Sequence, residues 1–171
     1  MRSLTLSFLY TINGSETKEH VAEVDTQTAE DIKQEIADKE QEQAEEQRGE
    51  DEEGATYTPE MVELESVECD ESTEIGLQNC FEVAEAYSEC DQNIDVVLAA
   101  IACDISGDNI DEAYNGSYTS DEDFAREMAE MAGDYNPKEA RWPLNCIDWE
   151  YAAKELMYDY CEDNGHYFRN L

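Results

Sequence analysis

The sequence predicts an α+β protein: an elongated chain of small domains, with an N-terminal α/β unit followed by mostly helical middle and C-terminal domains. Three observations lead there. Strand-like alternation runs on both sides of an Asn13-Gly14 turn signal. From about Glu71 onward, apolar residues recur at helical spacing. The chain also carries 45 acidic against 10 basic side chains, a net charge of -35, and self-repulsion favours a shape that spreads the charge. The expected boundaries are 1–70, with an acidic loop at 48–59, then 71–115 and 116–171.

Taken in order, Ser3 to Tyr10 alternates as a strand, with Leu4, Leu6 and Phe8 against Thr5 and Ser7. His20 to Val24 returns as its hairpin partner. Thr26 or Thr28 caps a helix, with Asp31 three residues beyond Thr28. Ile32 and Ile36 mark its inner face, and Ala29, Ala37 and Ala44 carry it toward Gln47. Past Ala37 the pattern is polar all round, which predicts an end that projects into solvent and frays. Glu40 to Pro59 looks like an acidic insertion, and its Arg48 to Pro59 part reads as a mobile loop. Met61 to Val67 alternates imperfectly as a further strand.

Ile75, Leu77, Phe81, Val83, Ala84 and Tyr87 suit a helix ending near Asp91. Ile94, Val97, Leu98, Ile101, Ala102 and Ile105 suit a second, capped by Asn93 and stopped by Gly107. Ile110, Ala113 and Tyr114 link it to a turn at Asn115-Gly116. Ser120 caps a third helix with Asp123 as box partner, and Phe124, Ala125, Met128 and Met131 or Ala132 line its apolar stripe. Gly133 closes it, and Asn136-Pro137 forbids continuation. Asp148 caps a last helix with Trp149, Ala152, Ala153, Leu156 and Met157 inside. His166-Tyr167-Phe168 ends in a strand.

Composition excludes several classes. Hydrophobic residues make up 40% of the chain, with ten tyrosines, too many for an acidic disordered tail. No apolar run is long enough to span a bilayer. The segment from Met1 to Tyr10 faintly resembles a signal peptide, but Thr5 and Ser7 break the run and no cleavage site follows, so it reads as a strand in a cytoplasmic protein. The six cysteines show no Cys-x-x-Cys spacing and read as reduced core thiols. Asn13-Gly-Ser15 and Asn115-Gly-Ser117 match the glycosylation pattern but read as turns. Asp104 to Glu112 invites a calcium reading. An EF-hand loop starting at Asp104 would need glycine and glutamate where Asn109 and Asn115 stand. Pairs such as Glu127 with Glu130 could act as acid and base, but no motif marks one pair among the acids. No enzyme, cofactor or metal site is expected.

The remaining feature is the charge itself. Between Gly49 and Ala125 there is no lysine or arginine. A solvated surface accounts for scattered carboxylates, not for so long a cation-free stretch. Duplex DNA carries about one charge per 1.7 Å of axis, so this protein's charge matches roughly 60 Å of duplex. A folded chain whose carboxylates stand in for phosphates could occupy the groove of a DNA-binding enzyme. Anionic membranes and nucleic acids would repel it.

Two blocks carry a family resemblance. One is Asp111-Glu112-Ala113-Tyr114-Asn115-Gly116-Ser117-Tyr118 with Asp121-Glu122-Asp123-Phe124-Ala125. The other is Pro143-Leu144-Asn145-Cys146-Ile147-Asp148-Trp149-Glu150-Tyr151-Ala152-Ala153-Lys154-Glu155-Leu156, followed by Gly165-His166-Tyr167-Phe168. Over roughly residues 77 to 168 the chain resembles the ArdA antirestriction proteins. Trp149 stands where that family usually has tyrosine, and Ala153-Lys154 where a Gly/Ala-Arg pair is usual. The resemblance implies an elongated dimer that mimics bent B-form DNA and inhibits Type I restriction-modification enzymes.

On this reading the phosphate-mimicking carboxylates are Glu82, Glu85, Glu89, Asp104, Asp108, Asp111, Glu112, Asp121, Glu122, Asp123, Glu127, Glu130, Asp148, Glu150, Glu155 and Asp159. Arg141, Trp142 and Leu144 are candidates for a homodimer contact, with Trp142 weighed more heavily as a core residue. The alternatives are an acidic module for another basic or DNA-binding protein, such as a CRISPR effector, and a low-affinity divalent-cation buffer.

Overall fold

A computed structural model describes residues 2–47, 56–69 and 75–171. It shows a mixed α+β chain of six helices and two small antiparallel sheets. The chain divides into two compact units, Met1–Asp95 and Val96–Leu171.

The first unit is built on a three-stranded sheet in the order β2-β1-β3. Strands β1 (Leu4–Ile12) and β2 (Lys18–Val24) form the expected hairpin, with Phe8 opposite His20 and Leu6 opposite Ala22. Asn13 and Gly14 both take positive φ (50° and 70°), and Ser15 N–H donates to Ile12 O at 3.0 Å. Asparagine and glycine tolerate this left-handed backbone at the tip of a hairpin connection. Leu4, Leu6, Phe8 and Tyr10 face inward and are buried.

Strand β3 (Val62–Cys69) pairs with the other side of β1. Its imperfect alternation has a structural cause. Leu9 pairs with Ser66 but Tyr10 pairs with Leu64, so Glu65 is an extra residue. This bulge moves the inward positions from Val62 and Leu64 to Val67, and a pure period of two fails across it.

Helix α1 (Ala29–Gln47) begins with the predicted capping box. Thr28 Oγ1 accepts from Asp31 N–H at 3.3 Å, and Thr28 N–H donates to Asp31 Oδ2 at 2.8 Å. Ile32, Ile36 and Ala37 are buried. The second half is mostly exposed, as expected, but one of its residues departs from the solvated end. Glu40 is only 6% exposed, and its carboxylate accepts from Tyr10 Oη at 2.6 Å and Lys18 Nζ at 2.5 Å. One buried carboxylate held by two donors anchors a polar helix to the sheet without any apolar signal. The acidic loop expected at 48–59 lies outside the described residues over 48–55. Where the chain is described again, Tyr57 N–H donates to Gln41 Oε1 at 3.1 Å.

Helix α2 (Cys80–Glu89) starts later than the pattern suggested, because buried Ile75 and half-buried Leu77 belong to the preceding turn. Phe81 stacks on Phe8 with ring centroids 5.8 Å apart. Past the end of α2, the Arg2 guanidinium donates to Cys90 O and Gln92 O and lies 4.0 Å from the Tyr87 ring centre. A scarce cation thus meets the negative end of a helix.

Helix α3 (Ile94–Ala102) ends before Gly107, not at it. Asp104 takes φ 58°, Ile105 N–H donates to Ala100 O, and Asp104 N–H donates to Ile101 O, both at 3.0 Å. This is a Schellman motif, and aspartate tolerates its left-handed position better than most residues.

In the second unit a one-turn helix, α4 (Ile110–Ala113), leads into β4 (Tyr114–Ser117). Asn115-Gly116 was expected to be a turn. It lies inside β4, where Tyr114 pairs with Phe168 and Ser117 with His166, leaving one extra residue. Gly116 takes φ 110° there. The same backbone freedom serves a hairpin or a bulge, and only the partner strand decides. Helix α5 (Asp121–Ala132) has the predicted ends: Ser120 Oγ accepts from Asp123 N–H at 3.2 Å, and Gly133 closes it at φ 80°. Helix α6 (Trp149–Leu156) is capped by Asp148, which accepts from Tyr151 N–H at 3.1 Å.

Strand β6 (His166–Arg169) was expected, but β5 (Tyr160–Asp163) was missed. They form a hairpin across Asn164 (φ 49°) and Gly165 (φ 80°), completing a sheet in the order β4-β6-β5. Phe124 fills the core of this unit. Its ring centroid lies 4.4 Å from Tyr167, 4.9 Å from Tyr160 and 5.1 Å from Tyr118. Such pairs contribute about 0.5–1.5 kcal/mol each beyond burial.

The expectation of reduced core thiols holds only in part. Cys80 and Cys90 are buried, but Cys103 is joined to Cys161 by a disulfide and Cys146 is exposed. Pairing depends on two backbones meeting in space, which spacing alone does not reveal. No helix among the described residues is long and apolar enough to cross a membrane.

Candidate partner-binding surface

The candidate carboxylates sit where local chemistry favours them. Asp121, Glu122 and Asp123 occupy the first turn of α5, and Glu150 follows the Asp148 cap in the first turn of α6. Unpaired N–H groups at a helix start stabilise negative charge. Asp123 is further held by Thr119 Oγ1 and by an ion pair with Arg126 at 3.1 Å. Tyr167 Oη donates to Asp121 Oδ1 at 2.7 Å. Burial first, then that carboxylate, pushes the Tyr167 hydroxyl well above its ordinary range, so it stays a donor.

None of the candidate carboxylates is buried. Glu82, Glu85, Glu89, Asp104, Asp108, Asp111, Glu112, Asp121, Glu127, Asp148, Glu150, Glu155 and Asp159 are exposed, while Glu122, Asp123 and Glu130 are half-buried. The first three lie on α2 in the Met1–Asp95 unit, and the rest lie in Val96–Leu171.

Within the second unit some of them converge. Asp121 and Glu122 of α5 and Glu150 of α6 line one groove of about 380 Å³ with Ala153, Lys154, Met157 and Tyr158. Asp104 borders a second hollow with Ile105, Ser106, Asn109 and the chain end at Asn170 and Leu171. Asp108 accepts from Ser106 Oγ at 2.7 Å, which fixes it close to its own turn. Glu127 and Glu130 lie a turn apart on α5, Glu155 is on α6, and Asp159 follows it.

Tyr151 and Tyr158, outside the residues expected from sequence to form the surface, are 63% and 71% exposed near the carboxylates of the α6 groove. Their seven-residue spacing, off the stripe set by Ala153 and Leu156, was the available signal. Trp142 corrects the core preference, because it is 82% exposed, next to exposed Arg141 and Leu144. The segment around it contains a cis Trp142-Pro143 bond.

The first unit holds a different polar group behind its sheet. His20 is buried, with Nε2 lying 3.3 Å from Glu35 Oε1 but not aligned for a hydrogen bond, and Nδ1 3.5 Å from Lys39 Nζ. Among the described residues no three His, Cys, Asp or Glu side chains are grouped to hold a metal ion. What the exposed carboxylates can do chemically is accept hydrogen bonds from guanidinium and ammonium groups, as phosphate oxygens do. No protein-family model, curated protein or solved structure matches this chain.

Proposed function

We propose that this chain is a DNA-mimic inhibitor that occupies the DNA-binding groove of a bacterial defence enzyme, with a Type I restriction-modification enzyme as the favoured target. The observation that supports this most is the surface. No lysine or arginine occurs from Gly49 to Ala125, and every candidate carboxylate, within that stretch or beyond it, is at least partly exposed. Exposed like charges lower the stability of a fold, so their concentration makes sense where a cationic surface is to be met. The resemblance of residues 77 to 168 to the ArdA proteins points the same way. An elongated arrangement, a bacterial cytoplasmic setting and a two-fold dimer belong to the same proposal. Exposed Arg141, Trp142 and Leu144 offer a contact with less repulsion than the rest of the surface.

The reading is tested by capture from a bacterial extract at moderate salt, followed by identification of the bound protein and displacement with duplex DNA. A DNA-binding enzyme should be captured and released by duplex, and its affinity should fall at least tenfold between about 50 and 200 mM salt. Simultaneous binding of DNA and this protein to the same enzyme, without mutual weakening, would overturn mimicry. Capture of a basic protein that binds no DNA would favour the acidic-module reading.

A further inference from the structure

Cys103 and Cys161 are separated by 58 residues in sequence and joined by a disulfide. Cys103 stands at the end of α3, where its N–H still donates to Ala99 O at 3.1 Å before Asp104 turns the chain. Cys161 lies on β5, an edge strand that among the described residues pairs with β6 alone. Both residues are half-buried, within reach of a solvent reductant. Candidate carboxylates flank both halves: Asp104 and Asp108 follow Cys103, and Asp159 precedes Cys161.

We propose that this bond is a redox-responsive clasp, fastening the edge strand β5 to the end of α3 and holding the carboxylates on either side at fixed spacing. A thiol reductant opens it by exchange. Its thiolate attacks one sulfur, forms a mixed disulfide and releases the other cysteine as thiolate. A second reductant thiol then resolves the mixed disulfide. Two protein thiols and one oxidised reductant disulfide result, so two electrons and two protons pass to the protein. With the clasp open, β5 is kept in place by β6 and packing alone. The effect on partner binding rests on the DNA-mimic reading, whereas the clasp itself does not.

The test uses the full chain purified without reductant. Peptide mapping should yield a cross-linked Cys103–Cys161 peptide, and thiol titration under denaturing conditions should find four free cysteines of six. Reduction should speed amide exchange in residues 99–109 and 159–163 at least tenfold, and lower the melting temperature by about 10 °C or more. The double variant Cys103→Ser with Cys161→Ser should match the reduced protein and ignore reductant. If it does not fold, Cys146→Ser, which keeps the clasp and removes the exposed thiol, carries the comparison with and without reductant. Absence of the cross-linked peptide, or unchanged exchange on reduction, overturns the clasp. If the clasp responds but both forms inhibit the captured enzyme equally, the coupling is overturned and mimicry stands. If neither form binds a DNA-processing enzyme, mimicry falls and the clasp stands.

Discussion

Removing the Tyr10 hydroxyl isolates the interaction that ties the polar half of α1 to its sheet. Tyr10 Oη donates to Glu40 Oε1 at 2.6 Å, and Lys18 Nζ donates to the other carboxylate oxygen at 2.5 Å. A hydrogen bond to a charged group is worth about 1.5–3 kcal/mol. The Lys18 side chain is 46% exposed, so screening reduces its share to about 1 kcal/mol or less. Tyr10→Phe should therefore destabilise the first unit by about 2 kcal/mol. Glu40→Ala should cost about 2–4 kcal/mol, because it also strands a buried hydroxyl. The double variant should recover about 1–2 kcal/mol relative to the sum, since both single changes break one bond. Hydrogen exchange of the β1 and β3 amides reports this unit separately from the second. A coupling below about 0.5 kcal/mol would refute the argument that this bond is the anchor. The pH dependence follows in sign. Burial alone would raise the Glu40 pKa, but the hydrogen bonds from Lys18 and Tyr10 and the Lys18 and Lys39 charges outweigh it and hold it below 4.5. The stabilisation is therefore present above pH 4.5 and is lost as pH falls through the lower folded value.

Other outcomes follow from single sites. Burial, then the Lys39 charge, lowers the His20 pKa from 6.5 against the pull of Glu35, so stability should decline as pH falls below 6.5. His20→Gln should flatten that decline in thermal melts taken across the range. Gly14 and Gly165 both take positive φ, but a Cβ at Gly14 meets nothing whereas one at Gly165 lies 3.2 Å from Tyr118 O. Gly14→Ala should cost about 1 kcal/mol of strain, and Gly165→Ala clearly more, by denaturant titration. Burial pushes the Cys80 thiol up to about 11, so at pH 8 alkylation should reach exposed Cys146 first and Cys80 last, with mass spectrometry giving the order. On the mimic reading, Asp121→Asn alone should barely change inhibition. Neutralising Asp104, Asp108, Asp111, Glu112, Asp121, Glu122 and Asp123 together should weaken it progressively, because each exposed contact is worth little. Finally, wild-type self-association should tighten with salt and weaken in Trp142→Ala, as read by sedimentation.

Elements whose hydrogen bonds close within a few residues were legible in the chain. The Asn13-Gly14 hairpin, the Thr28 and Ser120 caps, the Gly133 stop and the Asp148 cap all form as their neighbours dictate. The β5–β6 hairpin carried the same Asn-Gly signal at Asn164-Gly165 and could have been found from it. The bulge at Glu65 was visible only as a broken alternation, because a strand's phase depends on what pairs with it.

The density and sign of the charge were set by sequence alone, since an exposed carboxylate is ionised near neutral pH wherever the backbone puts it. Tertiary structure decided which charges act together. Packing of α5 against α6 brings Asp121 and Glu122 to Glu150 in one groove, and no local pattern encodes that meeting. It also removed Glu40 from the solvated set, exposed Trp142 and paired Cys103 with Cys161. In each case the deciding term is burial or contact across a long sequence separation, which depends on where the whole chain goes and not on the residues beside it.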